Sequence, residues 1–249
     1  MDLIKRLFWG IGLTLALSII PFPALGQEVL EGVSPQARDR FQKGERLVRE
    51  DRLDDAIRAF KEAVRLQPDY AEAHHHLGLA LARRQQYQDA VKEFQETLRL
   101  QPQWSQAHEN LGVAYIKMGR WEDARRAFLE TVRLHPQNAE AHYHLGLALG
   151  KLGRHPEARD AFRQAVRLQP DLAKAHKNLG MAYMKLEQWK EAGQAFQEAV
   201  RLQPGDAEAH LGLCAYYVQM GNQAAAKQEY QTLQSLDKKL AQKFADLLK

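Results

Sequence analysis

Histidine is the residue of this sequence best placed to do chemistry. Five of its ten histidines recur at a spacing of 34 residues: His74, His108, His142, His176 and His210. His74-His75-His76 adds a local cluster. Imidazoles in such a series could ligate a metal, carry a proton or change charge near neutral pH. A metal needs them converged on one point, and helices that pack side by side lie roughly 8–10 Å apart. The column therefore reads as five rings filling equivalent core-side slots, each with one nitrogen hydrogen-bonded, and no metal site is expected. Half-buried rings in that arrangement would charge together on acidification and loosen the stack, so a pH- or metal-responsive role is a minor alternative. Cys214 is the single thiol. It cannot form an intramolecular disulfide or a multi-cysteine zinc or iron–sulfur site, and it reads as a buried structural group rather than a nucleophile. The chain has no phosphate loop, no G-x-S-x-G elbow, no H-E-x-x-H and no dinucleotide fingerprint. Neither catalysis nor a cofactor is expected.

The elements that carry these residues begin after an unlike first segment. The chain has 249 residues, 45% hydrophobic and 27% charged, with a formal net charge of +4. That balance suits a soluble globular protein, and it gives no basic surplus for nucleic acid. In residues 1–26, Lys5 and Arg6 precede the uncharged run Leu7–Ile20, and Pro21, Pro23 and Ala24-Leu25-Gly26 follow it. This is the layout of a secretory signal peptide with cleavage before Gln27. The run is shorter than the ~20 residues of a membrane span. The expectation is export to a periplasm or equivalent lumen with no membrane insertion of the mature chain, or tethering at the membrane if the signal stays uncleaved. Residues 27–36 read as a flexible leader containing Gly32 and Pro35.

The remainder repeats. Pro68, Pro102, Pro136, Pro170 and Pro204 stand 34 residues apart, each ending a phrase such as AVRLQP or TLRLQP. Six copies can be framed: 37–70, 71–104, 105–138, 139–172, 173–206 and 207–240. Position 8 of the copies is Gly44, Gly78, Gly112, Gly146, Gly180 and then Cys214. Position 20 is always Ala, and position 24 is Phe60, Phe94, Phe128, Phe162, Phe196 and then Tyr230. Each copy offers two short amphipathic stretches, too short to be stable alone. Small residues at positions 8 and 20 admit a close approach, Phe at position 24 fills the gap, and Pro at position 32 ends the unit. The pattern resembles the tetratricopeptide repeat family, whose period is also 34 residues. The resemblance implies an all-α fold, a right-handed α-solenoid of about six helix-turn-helix repeats, with a C-terminal capping helix continuing through residues 241–249.

Tetratricopeptide arrays bind extended peptides or partner helices on their concave face, and the resemblance implies the same use here. At ~100° per residue, positions 4, 7, 8 and 11 of each first helix face the core, and positions 2, 6, 9 and 13 lie about opposite. Position 6 supplies His76, Asn110, His144 and Asn178, a ladder able to hydrogen-bond a peptide backbone. Position 9 supplies Leu79, Val113, Leu147 and Met181, an apolar strip. Position 13 supplies Arg83, Lys117, Lys151 and Lys185, cations that favour an acidic partner but that also suit the C-terminal turn of any helix. A carboxylate clamp needs Lys at position 5 and Asn at position 9 of one copy. Lys177 meets the first condition and Met181 fails the second. The expected function is a non-enzymatic protein-interaction scaffold of the cell envelope. Self-association into an envelope assembly is the alternative.

Overall fold

The computed structural model describes residues 32–247. The signal peptide assigned to residues 1–26, the leader up to residue 31 and the last two residues lie outside them. The described chain falls into two compact units, one ending at Pro136 and the other starting at Gln137. The first holds α1 (Pro35–Arg49), α2 (Leu53–Leu66), α3 (Ala71–Arg83), α4 (Tyr87–Leu100), α5 (Ser105–Lys117) and α6 (Trp121–Leu134). The second holds α7 (Ala139–Lys151), α8 (His155–Leu168), α9 (Ala173–Lys185), α10 (Trp189–Leu202), α11 (Ala207–Gln219), α12 (Gln223–Leu236) and α13 (Lys238–Leu247). No strand occurs among the described residues. In each unit a first helix packs on its own second helix, and that second helix packs on the next first helix.

Each hairpin is closed by glycine and phenylalanine. A Cβ built on Gly44, Gly78, Gly112, Gly146 or Gly180 would stand 2.5–2.9 Å from the ring of the Phe sixteen residues later. No side chain fits that space, so the two helix backbones close directly on the ring. The last copy solves the problem differently. Cys214 is buried with Sγ 3.9 Å from the carbonyl of Ala226, and Gly212 instead admits Phe196 of the preceding copy, 2.4 Å from its would-be Cβ. Burial, with the Glu229 carboxylate adding to it, pushes the Cys214 thiol up to about 12, where it is inert at neutral pH.

The turns follow from backbone chemistry. Between first and second helices one residue is always left-handed: Asp51, Gln85, Gly119, Gly153, Glu187 and Gly221, with φ from 56° to 75°. The next amide then reaches back five residues, as from Arg52 to the Leu47 carbonyl at 2.9 Å, which closes the helix end. At the end of each second helix the residue before proline leaves the helix, with Gln67, Gln101, His135, Gln169 and Gln203 at φ between −144° and −132°. Proline forbids the helical region to its predecessor.

Two expected boundaries are corrected. The leader does not run flexibly to residue 36. Ser34 caps α1 by accepting from the Ala37 amide at 3.3 Å, and Pro35 supplies the first helical position. Gln67 ties this start down, accepting from the Ser34 amide at 2.7 Å and donating to the Gly32 carbonyl at 3.2 Å. Nor does the last repeat continue into its cap. Asp237 breaks the chain at φ −148° although Lys238, not proline, follows it. The Asp237 carboxylate accepts from the Leu240 amide at 3.0 Å and starts α13 afresh.

Candidate partner-binding face

Positions 5 and 6 of the first helices turn out to join neighbouring copies. In the unit ending at Pro136, Phe41 meets His76 edge-on with ring centroids 4.9 Å apart. The Asn110 amide nitrogen lies 2.9 Å from His75 Nε2. In the unit starting at Gln137, the Tyr143 hydroxyl shares a hydrogen bond with Asn178, whose Nδ2 also donates to the Lys174 carbonyl at 2.7 Å. The Lys174 ammonium sits 4.6 Å above the Tyr143 ring and 2.7 Å from Glu140. The following junction is ionic, with Lys177 Nζ 2.7 Å from Asp206 and 2.8 Å from Glu208.

This geometry corrects the expected ladder. His76, Asn110 and Asn178 are buried, and His144 is half-buried 3.9 Å from Glu140. Asn178 is engaged between copies, by Tyr143 and by the Lys174 carbonyl. Within each unit a first helix also abuts the first helix of the next copy, and position 6 falls into that seam. The apolar strip is divided for the same reason. Leu79 and Leu147 are buried, while Val113 and Met181 are half-buried. Arg83, Lys117, Lys151 and Lys185 all stand in the last turn of their helices, where a cation complements the helix dipole. Arg83 also approaches Asp51 at 3.5 Å. His155 is held below its ordinary value by its own burial and by the Lys185 charge.

Around α3 the polar accounting leaves a remainder. Tyr70 Oη, His75 Nδ1 and Asn110 Oδ1 are buried without a hydrogen-bond partner among the described residues. His75 is 0% exposed and Asn110 3%. If Asn110 Nδ2 donates to His75 Nε2, then His75 Nδ1 carries the proton, so the pair presents one donor and one acceptor. Flipping the amide swaps the roles and leaves the same complement. One donor beside one acceptor matches a peptide unit. Burial keeps both neighbouring rings neutral, holding His75 at about 3, with some help from His76, and His76 at about 4. His76 Nδ1 meets the Glu72 carbonyl at 2.9 Å. His75 lies at position 5, which the sequence reading passed over. The aromatic at position 34 was the available signal, since Trp104 packs on His75 with centroids 4.5 Å apart and Tyr70 on Phe41 at 5.1 Å.

The position 4 histidines hold the turns together. Nε2 of His74, His108, His176 and His210 lies 2.8–3.1 Å from the carbonyl of the proline six residues earlier. His74 and His210 also place Nδ1 2.7 Å from Glu93 and Glu229. Burial would lower the proton affinity of His74, but its hydrogen bonds to Glu93 and the Pro68 carbonyl leave it raised, so acidification strengthens that contact, which corrects the expected loosening there. Among the described residues no group of three His, Cys, Asp or Glu side chains gathers within reach of one metal ion, and no described helix is long and apolar enough to cross a membrane.

The family profile described as the Cilia and flagella-associated protein 70 C-terminal domain matches residues 22–246. No curated protein matches the sequence significantly. Among solved structures, MamA (residues 41 to the end) from Desulfovibrio magneticus RS-1 is 27% identical with a TM-score of 0.66, covering 70% of this chain and 98% of that one. YrrB, described as a TPR protein with an unusual peptide-binding site, is 22% identical with a TM-score of 0.66, covering 74% and 96%. Pseudomonas aeruginosa pilF is 18% identical with a TM-score of 0.70, covering 85% and 97%. At those identities the last two speak for the fold alone.

Proposed function

The chain belongs to the family of the Cilia and flagella-associated protein 70 C-terminal domain, a tetratricopeptide-repeat fold, and from that premise we propose that it is a non-enzymatic scaffold that takes an extended peptide segment of a partner protein. The supporting observation is the His75–Asn110 pair, one donor and one acceptor left unmatched on α3 and α5. A buried polar atom with no partner costs about 1–3 kcal/mol, which a peptide amide would offset where the seam between α3 and α5 opens to admit it, since His75 and Asn110 are 0% and 3% exposed. Val113 and Lys117 stand one and two turns along α5 from Asn110, on the same helix face and half-buried. With Arg83 they favour a peptide that carries an apolar and an acidic side chain.

The test is selection of peptides from a displayed random library on the full chain, followed by affinity measurement on variants. Asn110→Leu should weaken the selected peptides about tenfold or more, the loss of one well-made hydrogen bond in a dry site. Asn178→Leu serves as the comparison, because that amide is already engaged between copies. Equal binding by both variants removes the pair from the site. We further propose that the protein is exported, on the signal-peptide layout of residues 1–26. Mass measurement of the expressed protein should find Gln27 at its N-terminus.

A further inference from the structure

The two histidines with a carboxylate at Nδ1 have more hydrogen-bond acceptors than a neutral ring can satisfy. His74 lies 3.1 Å from the Pro68 carbonyl through Nε2 and 2.7 Å from Glu93 through Nδ1. His210 repeats this with the Pro204 carbonyl at 2.9 Å and Glu229 at 2.7 Å. A neutral imidazole has one N–H, and an ionised carboxylate has none. Both contacts are met only when the His–Glu pair holds one extra proton, on the ring or on the carboxyl. From this geometry we infer that repeat 2 binds a proton on folding, at His74–Glu93, so that mild acidity tightens the unit ending at Pro136.

The sites are distinctive within the array. Position 23 is Glu93 in repeat 2 and Glu229 in repeat 6, but Ala59, Ala127, Ala161 and Ala195 elsewhere. His108 and His176 therefore keep the proline contact without the carboxylate. The two histidine side chains are 8% and 7% exposed and their carboxylates 23% and 20%, so solvent screens the pairs only in part. Glu93 and Glu96 of α4 act on His74, while Glu62 and Arg65 of α2 pair with one another on the exposed side. Beside His210, Asp206 and Glu208 are bound to Lys177, and Glu198 of α10 is bound to Arg201. His74 follows the geometry. Burial alone would lower its affinity for a proton, yet the Glu93 and Pro68 hydrogen bonds outweigh it and leave it raised. A raised folded value means that the stabilisation is complete below the ordinary imidazole value of about 6.5 and is lost as pH climbs through the folded value.

Thermal unfolding of the full chain between pH 6.5 and 8.5 tests this against Glu93→Gln. A glutamine amide can donate to an unprotonated Nδ1, so this variant keeps both contacts without the proton. The wild-type melting temperature should fall by about 2–4 °C across this window, and the variant should lose that slope. Ala127→Glu, opposite His108, should add slope. A flat wild-type profile, or an equal slope in Glu93→Gln, overturns the inference. If Glu93→Gln does not fold, NMR of the wild-type His74–Glu93 pair decides. A single ring N–H beside an ionised carboxylate at pH 6.5 would refute the bound proton, and a second proton on the pair, on the ring or on the carboxyl, would support it.

Discussion

At Gly78 a methyl group would stand 2.7 Å from the Phe94 ring, and nothing in that hairpin can yield except the ring. Gly78→Ala should therefore cost about 1–3 kcal/mol in urea unfolding, and Phe94→Leu in the same chain should recover part of it. That contact was legible in the sequence, because Gly and Phe sixteen positions apart recur in five copies. Lys177 was less legible. Its sequence position suggested half of a carboxylate clamp, whereas its ammonium is held between Asp206 and Glu208, with side chains 16%, 12% and 28% exposed. Asp206 also caps α11 through the Glu208 and Ala209 amides. Lys177→Met should destabilise the unit starting at Gln137 by about 2 kcal/mol, less than a fully dry pair would lose. A loss below a few tenths would mean that solvent screens the triad. No periodicity argument could find it, since position 5 is Phe41, His75, Glu109, Tyr143, Lys177 and Leu211 in turn.

Helix boundaries were the most readable feature, and they failed only where a second signal replaced the usual one. The prolines mark the ends of five second helices, but Asp237 makes the same break with no proline behind it. There the carboxylate's bond to the Leu240 amide does the work, a local cap that a search for proline overlooks. The first-to-second turn carries its own prediction. Its left-handed residue is Gly in three copies and Asp51, Gln85 or Glu187 in the other three. A non-glycine residue there is strained, so Gln85→Gly and Glu187→Gly should each stabilise by up to about 1 kcal/mol, and Gly119→Ala should cost a similar amount. Denaturant midpoints at constant slope would check both signs, and stabilisation by Gly119→Ala would contradict the turn geometry. The face that meets a partner was hardest to read. Amphipathic spacing separates core from surface on one helix, but it does not report the neighbouring first helix that covers positions 5 and 6.

For the molecule as a whole, three adjacent histidines give the unit ending at Pro136 a two-sided dependence on pH. His74, raised, contributes below about 6.5 and loses its contribution as pH rises. His75 and His76, held at about 3 and 4, have the opposite sign. They favour the folded state above their ordinary value and cease to do so as pH falls from there toward 4, because the unfolded chain takes up protons that the folded one refuses. Hydrogen-exchange protection in α3 should therefore peak near pH 6–7 and fall on both sides, and a monotonic profile would refute the opposed pair. The seams between copies have a consequence for how such a gene can change length. Lys177 is held by Asp206 of its own copy and by Glu208 of the next. Tandem duplication of residues 173–206 would set Lys177 against a second Lys174 in place of Glu208. Unequal crossing-over would thus join two cations where a cation had met an anion, and the repeats, interchangeable by period, are not interchangeable by inheritance.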